Sequence, residues 1–412
     1  MRSADIAVIG AGPAGAAAAI AAARNGLDVV MIDKAVFPRD KCCGDGLTAA
    51  CLRELQELGL DPSTVASWQP VQQVVLHAPA GRRVALPLPE GPGLFSVVAR
   101  RRDLDTALVE LAAASGAELW TGTAVTAVGP GDDGRVVVQT STAAVAARTV
   151  IAADGMWSPT RKLCNARHDP GYRGEWHAFR QYLHGAGPDA VQAQHIWFPD
   201  ELLPGYVWSF PLPDGAVNVG FGFPRLGGPA VGDGAAIWRR ILARPEIAGV
   251  LGPAIEAESP MRAWPIPARV DGVTLSALGG RVLFVGDAAA APDPMTGEGI
   301  GQALQTGRLA IEAVLAGTGP VEVATAYLRA VGRELVSDHR LARLLGTVLA
   351  SPRRAEWALR AVGANDWTRR NFARWMFEDY PRAILGTPRR WQRGQFHRPG
   401  AFSDPVENVH HA

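Results

Sequence analysis

The chain has 412 residues, of which 48% are hydrophobic and 20% charged, a balance that supports a large core and disfavours disordered and coiled-coil proteins. Its 41 basic residues nearly match its 40 acidic ones, so no chain-wide positive field indicates a nucleic-acid partner. Four cysteines are too few for a dense disulfide framework and lack paired CxxC spacing, so we expect a reducing, cytoplasmic location and no zinc.

The first thirty-odd residues have the pattern of a βαβ unit. A strand over 5–10 precedes a glycine turn, an alanine-rich helix that ends near residue 25, and a second strand over 27–33. No stretch of the chain has the roughly 20 consecutive apolar residues of a membrane span. The βαβ pattern therefore predicts a doubly wound domain at the start of the chain.

Three glycines and one acidic residue mark this unit as a dinucleotide site. Gly10, Gly12 and Gly15 form GxGxxG between strand and helix, and Asp33 closes the second strand. In such a motif the first glycine makes the turn, the second lets a pyrophosphate approach the backbone, and the third permits close helix packing. The helix N-terminus attracts phosphate, and the acidic side chain accepts hydrogen bonds from ribose hydroxyls. This signature does not choose FAD over NAD.

Further along the chain, the pattern alternates between sheet and helix. Residues 70–97 predict short strands of a second layer, and a helical period resumes over 103–115. Strands are expected within 136–153 and 192–223. A short buried strand is expected over 281–285, followed by a helix from about 299 to 315, and the pattern from 321 onward is mainly helical.

A second glycine–acid pair follows the strand over 281–285. Gly286 and Asp287 end this strand, and the sequence DPMTGEGIG over 293–301 precedes the next helix. A strand-end carboxylate can hold a ribityl or ribose hydroxyl, and a helix N-terminus can face a flavin ring or its phosphates. An ordinary strand–turn–helix junction has the same pattern, so this pair alone does not establish a cofactor site.

This pair resembles the GD motif of the glutathione-reductase-type flavoproteins, in their monooxygenase and reductase branch. Asp154 lies in a segment that resembles the DG motif, and Arg101 with Leu104 and Asp105 resembles the arginine and following helix start that approach FAD. The sequence FPRDKCCGDG over 37–46 has the position of the loop that borders the isoalloxazine in such proteins. The resemblance implies FAD as the cofactor. The residues that it assigns to FAD are Gly10, Gly12, Gly15, Asp33, Lys34, Cys43, Gly44, Arg101, Asp154, Gly286, Asp287, Pro294, Gly297, Gly299 and Ile300.

Two features resemble one subfamily, the geranylgeranyl reductases. One is CGDG over 43–46, and the other is LPGYVWSFP over 203–211, which is similar to that family's PxxYxWxFP signature. Alternation places Tyr206, Trp208 and Phe210 on one face of a strand, where they can line a groove for a long apolar chain. The inside of an ordinary sheet shows the same alternation. The resemblance favours a substrate wall.

The resemblance implies a reductase that saturates C=C bonds of a polyprenyl, geranylgeranyl-like group on a lipid, quinone or diphosphate. An isolated double bond cannot stabilise a carbanion, so a proton must accompany the hydride, and Cys43 is the candidate catalytic proton donor. Cys42 departs from the family pattern, which leaves open which thiol faces the flavin. Because there is no second GxGxxG domain, we expect NAD(P)H to dock transiently or a small electron carrier to supply the electrons.

Three alternatives use the same fold. The first is an FAD-dependent monooxygenase of an aromatic or polyketide-like small molecule. A halogenase needs a lysine between the flavin and substrate sites, yet none occurs between Lys41 and Lys162. A lipid-binding escort protein would lack flavin, whereas both glycine–acid sites are intact. The histidines do not have an HExxH-like spacing, so we expect no metal site.

The expected fold is α/β with an α+β inserted domain: a Rossmann-type FAD-binding domain, an inserted antiparallel-sheet substrate domain and a C-terminal helical section. The predicted sections are 1–70, 97–165 and 270–320 for FAD, 71–96 and 166–269 for substrate, and 321–412 for the helical section. That last section has 15 arginines and no lysine. It either contacts an anionic inner-membrane surface peripherally or forms a packed cap with a solvated arginine face. The residues considered for membrane contact are Arg374, Trp375, Met376, Phe377, Arg382, Arg389, Arg390, Trp391, Arg393 and Phe396.

Overall fold

The computed structural model describes residues 1–88, 92–131, 133–167, 169–377, 380–391, 394 and 397–403. The strands in these ranges are β1 (Arg2–Ile9), β2 (Val29–Ile32), β3 (Gly46–Thr48), β4 (Gln69–Pro70), β5 (Gln73–His77), β6 (Arg83–Pro87), β7 (Ser96–Val98), β8 (Glu118–Trp120), β9 (Val125–Pro130), β10 (Val136–Thr140), β11 (Ala144–Ala152), β12 (Trp176–His184), β13 (Gln194–Trp197), β14 (Tyr206–Pro211), β15 (Val217–Pro224), β16 (Glu256–Ala257), β17 (Arg262–Ile266), β18 (Ser276–Ala277) and β19 (Val282–Phe284). The helices are α1 (Pro13–Arg24), α2 (Ala49–Glu57), α3 (Arg101–Ala114), α4 (Pro159–Leu163), α5 (Pro188–Gln192), α6 (Gly234–Leu242), α7 (Pro245–Leu251), α8 (Ile300–Ala316), α9 (Pro320–Val331), α10 (Ser337–Leu349), α11 (Pro352–Val362) and α12 (Asp366–Met376).

The chain divides into two compact units, each assembled from separated segments. Unit 1 comprises residues 1–42, 101–178 and 264–344, and unit 2 comprises residues 43–100, 179–263 and 345–412. Both units combine sheets with helices, which confirms the predicted mixed α/β class. The predicted division into FAD, substrate and helical sections stays a proposal.

Unit 1 is built on a mainly parallel sheet. Its strand order is β18-β19-β11-β1-β2-β8, and the pairs from β19 to β8 are parallel. β18 adds an antiparallel edge, and the β9–β10 hairpin continues the sheet from β11. All four residues of β2, Val-Val-Met-Ile, are buried, as expected for a strand covered on both faces. This order is that of a Rossmann-type sheet.

Small residues bring two helices of unit 1 close together. α1 begins with Pro13 and has buried alanines along most of its length. It packs against α8, where a Cβ added at Gly307 would lie 2.2 Å from the carbonyl oxygen of Ala14. No side chain fits in that distance, so the glycine is needed for the approach. The start of α1 therefore packs closely against the middle of α8 within unit 1.

Unit 2 contains a larger sheet with the order β16-β12-β15-β14-β13-β5-β6. Its pairs β16–β12, β13–β14, β14–β15 and β5–β6 are antiparallel, but β5 and β13 are parallel, which differs from the expected antiparallel sheet. A parallel pair requires a long crossover connection, and here the chain between the two strands includes the segment 101–178 of unit 1. One face of this sheet is filled by stacked aromatic rings, with Phe179 and Phe221 4.7 Å apart.

The last helices of unit 2 cover another part of its sheet. Leu359 of α11 and Ala373 of α12 are buried in one cluster with Val74 and Val84 of the strands β5 and β6. On the outer side, Trp357 is 72% and Trp367 69% exposed. No helix in the described ranges is long and apolar enough to cross a bilayer.

Candidate active site

The glycine motif of unit 1 forms a tight turn in which two glycines are required by contact. Gly10 has a φ of +100°, and a Cβ there would lie 2.3 Å from the carbonyl oxygen of Ala153. A Cβ on Gly15 would lie 1.8 Å from the carbonyl oxygen of Gly10. Among the described residues other than its chain neighbours, a side-chain nitrogen of Arg39, at 3.4 Å, is the only atom within 4 Å of the corresponding position at Gly12. The turn is therefore tightly packed at Gly10 and Gly15 and has free space at Gly12, its middle glycine.

The N-terminus of α1 lies at this open turn. Among the described residues, no side chain caps this end of the helix, and its first turn contains no acidic residue. The first N–H groups of a helix lack intrahelical partners, and the helix dipole makes this end attractive to anions. The turn and the helix end together fit the pyrophosphate of a dinucleotide.

Asp33 connects the glycine turn to the end of β2. Its carboxylate accepts hydrogen bonds from Ala11 N at 2.7 Å and Ala35 N at 2.8 Å. A carboxylate has about four acceptor positions, so ribose hydroxyls can still bind to it. The neighbouring Lys34 is exposed. The roles of both residues toward FAD stay predictions.

Two arginines surround a buried carboxylate beside the middle glycine. Asp105 is fully buried and accepts hydrogen bonds from Arg101 at 2.7 and 2.9 Å. Arg39 also contacts Asp105, at 3.0 Å, and it is the residue that approaches the space over Gly12. Two guanidinium groups therefore lie against this one carboxylate, and guanidinium groups suit a phosphate.

Arg101 therefore lies beside the glycine turn together with Asp105, which belongs to the same motif, and with Arg39, which was not among the predicted cofactor residues. Arg39 lies in the loop over 37–46 that the sequence analysis assigned to the flavin, so its place near the cofactor site could have been predicted. Asp105 follows Arg101 by four residues in α3, a spacing at which helical side chains meet.

Asp154 is held by the start of α4. It accepts hydrogen bonds from the Ser158 hydroxyl at 2.7 Å and from Thr160 N at 2.8 Å. Burial raises the pKa of Asp154 in spite of these two hydrogen bonds, which favour the ionised form. Its neighbour Ala153 contacts the glycine turn, so the two motifs meet in unit 1.

The second glycine–acid pair lies against α1. Gly286 has a φ of +59°, and a Cβ there would lie 2.9 Å from the Cβ of Ala14. Lys41 Nζ contacts the Asp287 carboxylate at 2.8 Å, and both side chains are partly exposed. The ion pair connects the loop after β2 to this motif. Lys41 was not predicted as a site residue, because its partner is 246 positions away.

The segment that precedes α8 is an ordered turn. Asp293 accepts hydrogen bonds from Met295 N and Thr296 N, at 2.9 and 2.7 Å. Glu298 accepts one from Gly301 N at 2.8 Å, so one N–H of the α8 N-terminus is already used. Trp176 donates to the carbonyl oxygen of Pro294 at 2.9 Å. The predicted residues that share this turn are Pro294, Gly297, Gly299 and Ile300.

The aromatic strand of unit 2 has the predicted alternation. The ring centroids of Tyr206 and Trp208 are 5.9 Å apart, and those of Trp208 and Phe210 are 6.3 Å apart. Trp208 is buried, whereas the other two rings are half-buried. The three rings thus form a continuous row on β14. Their role as a substrate wall stays a prediction.

The turn that contains Cys43 packs on this row. A Cβ on Gly44 would lie 3.5 Å from the ring of Trp208 and 3.6 Å from that of Phe210. Cys43 is half-buried, and its Sγ accepts a hydrogen bond from Asp45 N at 3.4 Å. The structure therefore brings the candidate proton donor and the candidate substrate wall together within unit 2.

A buried network that sequence reasoning missed holds this turn. Asp45 is fully buried and accepts from the Tyr182 hydroxyl at 2.6 Å and from Asn218 Nδ2 at 2.8 Å. Asn218 Nδ2 also donates to the Cys43 carbonyl oxygen at 2.9 Å, and Asn218 Oδ1 accepts from Trp208 Nε1 at 3.0 Å. Asp45 was visible in the CGDG motif, but no local pattern indicated Tyr182 or Asn218.

Positive charge surrounds the tyrosine of this network. The guanidinium carbons of Arg100 and Arg180 lie 4.4 and 4.0 Å from the centroid of the Tyr182 ring. Arg100 is also paired with Glu258 at 2.5 Å. A buried carboxylate such as Asp45 needs opposite charge and hydrogen bonds nearby, and this arrangement supplies both.

The residues considered for membrane contact differ in exposure. Arg374 and Phe377 are buried, and Arg382 is 3% exposed with its guanidinium over the Trp375 ring. Trp391 is exposed. Arg393 and Phe396 lie outside the described residues. In the described ranges, no group of three or more His, Cys, Asp or Glu side chains is arranged to hold a metal ion.

Comparisons with known proteins agree with this geometry. Residues 3–194 match the FAD binding domain family. The chain is 36% identical to a menaquinone reductase of Mycolicibacterium smegmatis, over 85% of each chain. It is 33% identical to digeranylgeranylglycerophospholipid reductase 2 of Methanopyrus kandleri, over 75% of this chain and 76% of that one. The chain belongs to the geranylgeranyl reductase-like family of FAD-dependent oxidoreductases. The predicted family is therefore confirmed.

Solved structures with this fold include other chemistries. A geranylgeranyl bacteriochlorophyll reductase-like protein from Thermoplasma acidophilum has a TM-score of 0.78 at 22% identity, covering 95% of this chain and all of that one. A probable FAD-dependent monooxygenase from Pseudomonas aeruginosa has a TM-score of 0.66 at 18% identity, covering 87% of this chain and all of that one. At these identities the likeness establishes only the fold, so the reaction must be argued from the site.

Proposed function

We propose that this member of the geranylgeranyl reductase-like family saturates C=C bonds of a polyprenyl chain. The observation that carries the proposal is the row of Tyr206, Trp208 and Phe210 packed directly beside the Cys43–Gly44 turn. A long apolar chain needs an extended apolar wall, and its double bond needs a proton donor beside that wall. Both features occur within unit 2.

The aromatic row would bind and orient the prenyl chain. When an apolar ligand covers the exposed part of a half-buried ring, the removal of this apolar surface from water favours binding by about 25 cal/mol per Å². Tyr206 and Phe210 are the half-buried members of the row, so they would contact the chain most directly. Trp208 is hydrogen-bonded through its indole to Asn218 and would act as the fixed centre of the wall.

Cys43 would hold and deliver the proton. The unit 1 residues described above would hold FAD, which in its reduced form would supply the hydride. The Cys43 thiol would transfer its proton to the alkene carbon that does not receive the hydride. The thiolate that remains on Sγ would be stabilised by the Asp45 N–H, which already donates to this atom at 3.4 Å. Solvent then returns the proton after the saturated product leaves.

The names of the two relatives supply candidate substrates. One relative is named for menaquinone and the other for a digeranylgeranyl lipid, and both compounds carry a polyprenyl chain. We therefore propose a prenylated quinone or a prenylated lipid, with the quinone tested first. NAD(P)H or a small electron carrier is proposed as the reductant. Saturation of the chain and reduction of a quinone ring both add two hydrogens, so the experiment must distinguish them.

The test is a single turnover under anaerobic conditions. Chemically reduced, FAD-loaded protein is mixed with menaquinone, with a digeranylgeranyl lipid or with geranylgeranyl diphosphate, and the products are exposed to air before mass spectrometry. A hydroquinone returns to the quinone in air and loses its two added hydrogens. A saturated chain keeps them, so a persistent gain of two mass units with flavin reoxidation is the expected result.

Two outcomes would contradict the proposal. If the gained hydrogens disappear after exposure to air, the enzyme reduces the quinone ring and not the chain. If none of the three substrates reacts, but an aromatic small molecule gains an oxygen atom when air is admitted to the reduced protein, the monooxygenase alternative replaces the reductase.

We also propose peripheral membrane contact through the outer side of α11 and α12. Trp357 and Trp367 are largely exposed on these helices, which also carry arginines. Exposed tryptophans partition into the bilayer interface, and arginines are attracted to anionic lipids. Flotation with vesicles of anionic and of zwitterionic lipid at low salt tests this: the anionic vesicles should carry the protein, and Trp357→Ser with Trp367→Ser should reduce flotation. No flotation of the unaltered chain would disprove it.

A further inference from the structure

The turn that contains Cys43 has an unusual backbone conformation. Asp45 has a φ of +64°, in the left-handed region, which Asp enters more readily than most residues but which only glycine adopts freely. In this conformation Asp45 N points back at the Cys43 Sγ and donates to it. Contacts from elsewhere in unit 2 add to this local preference and help to hold the turn in place.

Asn218 makes the contacts that hold both ends of the turn. Its single Nδ2 group donates to the Cys43 carbonyl oxygen at 2.9 Å and to the Asp45 carboxylate at 2.8 Å. Asn218 itself is fully buried on β15. Its Oδ1 accepts from the Trp208 indole at 3.0 Å, so the amide orientation is determined by three bonds at once. Three fixed bonds leave the side chain no freedom to release the turn.

We propose that Asn218 is a positioning residue for Cys43: it locks the left-handed turn in which the Asp45 N–H donates to the Cys43 sulfur. The same amide connects the turn to Trp208, so the thiol and the centre of the aromatic row are held in one fixed arrangement. This inference rests on the proposed function only where it treats Cys43 as the proton donor of the reaction. The effect of Asn218 on the thiol itself does not depend on any substrate.

Tyr182 offers a matched control within the same network. Its hydroxyl donates to the Asp45 carboxylate at 2.6 Å, and Tyr182→Phe would remove this bond while keeping the ring. The bond from Asn218 to the Cys43 carbonyl would remain. A residue that merely supports the fold and a residue that positions Cys43 should therefore differ in their effect on the thiol.

The experiment measures the rate of Cys43 alkylation by iodoacetamide against pH in the FAD-loaded full chain. A Cys42→Ser background leaves one half-buried thiol, since Cys51 and Cys164 are buried. Asn218→Leu removes all three bonds at similar volume, and Asn218→Asp keeps the shape but loses the donors. Because only the thiolate reacts, loss of the Asp45 N–H contact should move the midpoint of the profile upward by at least about half a pH unit in both Asn218 variants.

Tyr182→Phe should leave the midpoint close to that of the background protein. Thermal unfolding and flavin absorbance are recorded for each variant, so an unfolded variant is recognised and the other Asn218 variant decides. If a folded Asn218 variant keeps the background midpoint, or if Tyr182→Phe shifts it equally, the assignment to Asn218 is wrong. If the Asn218 variants shift the alkylation midpoint but the unaltered protein turns over no prenyl substrate, the positioning role stands and the proposed function is rejected. If the protein reduces a prenyl substrate but the Asn218 variants leave the midpoint unchanged, the proposed function stands and the positioning role is rejected.

Discussion

Unit 1 presents its candidate cofactor site mainly through backbone groups, whereas unit 2 builds its candidate substrate site from side chains. In unit 1 the turn of Gly10, Gly12 and Gly15 leaves the N–H groups at the start of α1 open to a phosphate. In unit 2 the Cys43 turn depends on Asp45 and Asn218, whose side chains are buried and hydrogen-bonded.

This difference has a physical reason. A phosphate is recognised by N–H groups and a helix dipole that any sequence can supply, provided that glycines leave room. An apolar chain and a proton require a shaped surface and one reactive atom, which only particular side chains supply. Within the two candidate sites, substitutions that add one carbon should therefore do most damage in the glycine turn of unit 1. Substitutions that change one polar atom should do most damage in the Cys43 turn of unit 2.

The largest expected effect is that of one atom in unit 2. Cys43→Ser should lower the rate of alkene reduction by about 10²- to 10⁴-fold, the usual contribution of a positioned acid, because a hydroxyl gives up its proton far less readily than a thiol. Single-turnover product formation measures this, with flavin absorbance as the control for cofactor binding. Cys42→Ser should retain most of the rate. Full activity in Cys43→Ser, or loss confined to Cys42→Ser, would reject the assignment of the proton donor.

One added carbon should have the next largest effect, in unit 1. Gly15→Ala would place a Cβ 1.8 Å from the Gly10 carbonyl oxygen, so the free energy of unfolding should fall by about 3 kcal/mol or more. The affinity for FAD should fall at least about tenfold as the turn shifts. Denaturant unfolding and FAD titration measure the two effects. Gly129→Ala, where a Cβ meets open space, is the matched control. Equal behaviour of the two variants would show that the turn tolerates a side chain.

A third prediction concerns the loss of stability at low pH that a buried histidine of unit 2, His77, should cause. Burial, followed by His195 and Arg83, lowers the pKa of His77 from 6.5 to about 3. Below pH 6.5 the unfolded chain therefore binds a proton that the folded chain excludes, and the free energy of unfolding falls as the pH decreases from about 7 to 3. At pH 5 the loss amounts to about 2 kcal/mol.

Denaturant unfolding at pH 7.5 and pH 5 measures this loss. His77→Gln should reduce the difference between the two pH values, although it removes the contact with His195 at 3.0 Å and the stacking on Trp197. An unaltered pH dependence in His77→Gln would assign the acid sensitivity to other groups.

The smallest expected effect separates the ring from the hydroxyl at one end of the aromatic row. Tyr206→Ala should raise KM for the prenyl substrate about 5- to 10-fold, because a half-buried ring contributes about 1 kcal/mol of apolar contact. Tyr206→Phe keeps the ring and should stay close to the unaltered enzyme. Steady-state kinetics with the substrate found above measures both. If Tyr206→Phe has the larger effect, the hydroxyl and not the apolar wall is what the substrate contacts.

Much of the fold was predictable because its signals are local. The βαβ start, the helix after residue 299 and the alternation of Tyr206, Trp208 and Phe210 follow from periodicities of 3.6 and 2 in consecutive residues. The parallel pairing of β5 with β13 was not predicted. Strand direction depends on the path of the chain between the two strands, and no periodicity within either strand reports that path.

The sequence by itself determined the glycine turns of unit 1 and the aromatic row of unit 2, because steric limits on the backbone and the direction of side chains act between near neighbours. Only the tertiary structure decided that Lys41 pairs with Asp287 and that Asn218 holds the turn of Cys43 and Asp45. Asn218 and Asp45 are 173 positions apart. Hydrogen bonds and ion pairs act over about 3 Å of space at any separation along the chain, so such partners become known only when folding brings them together.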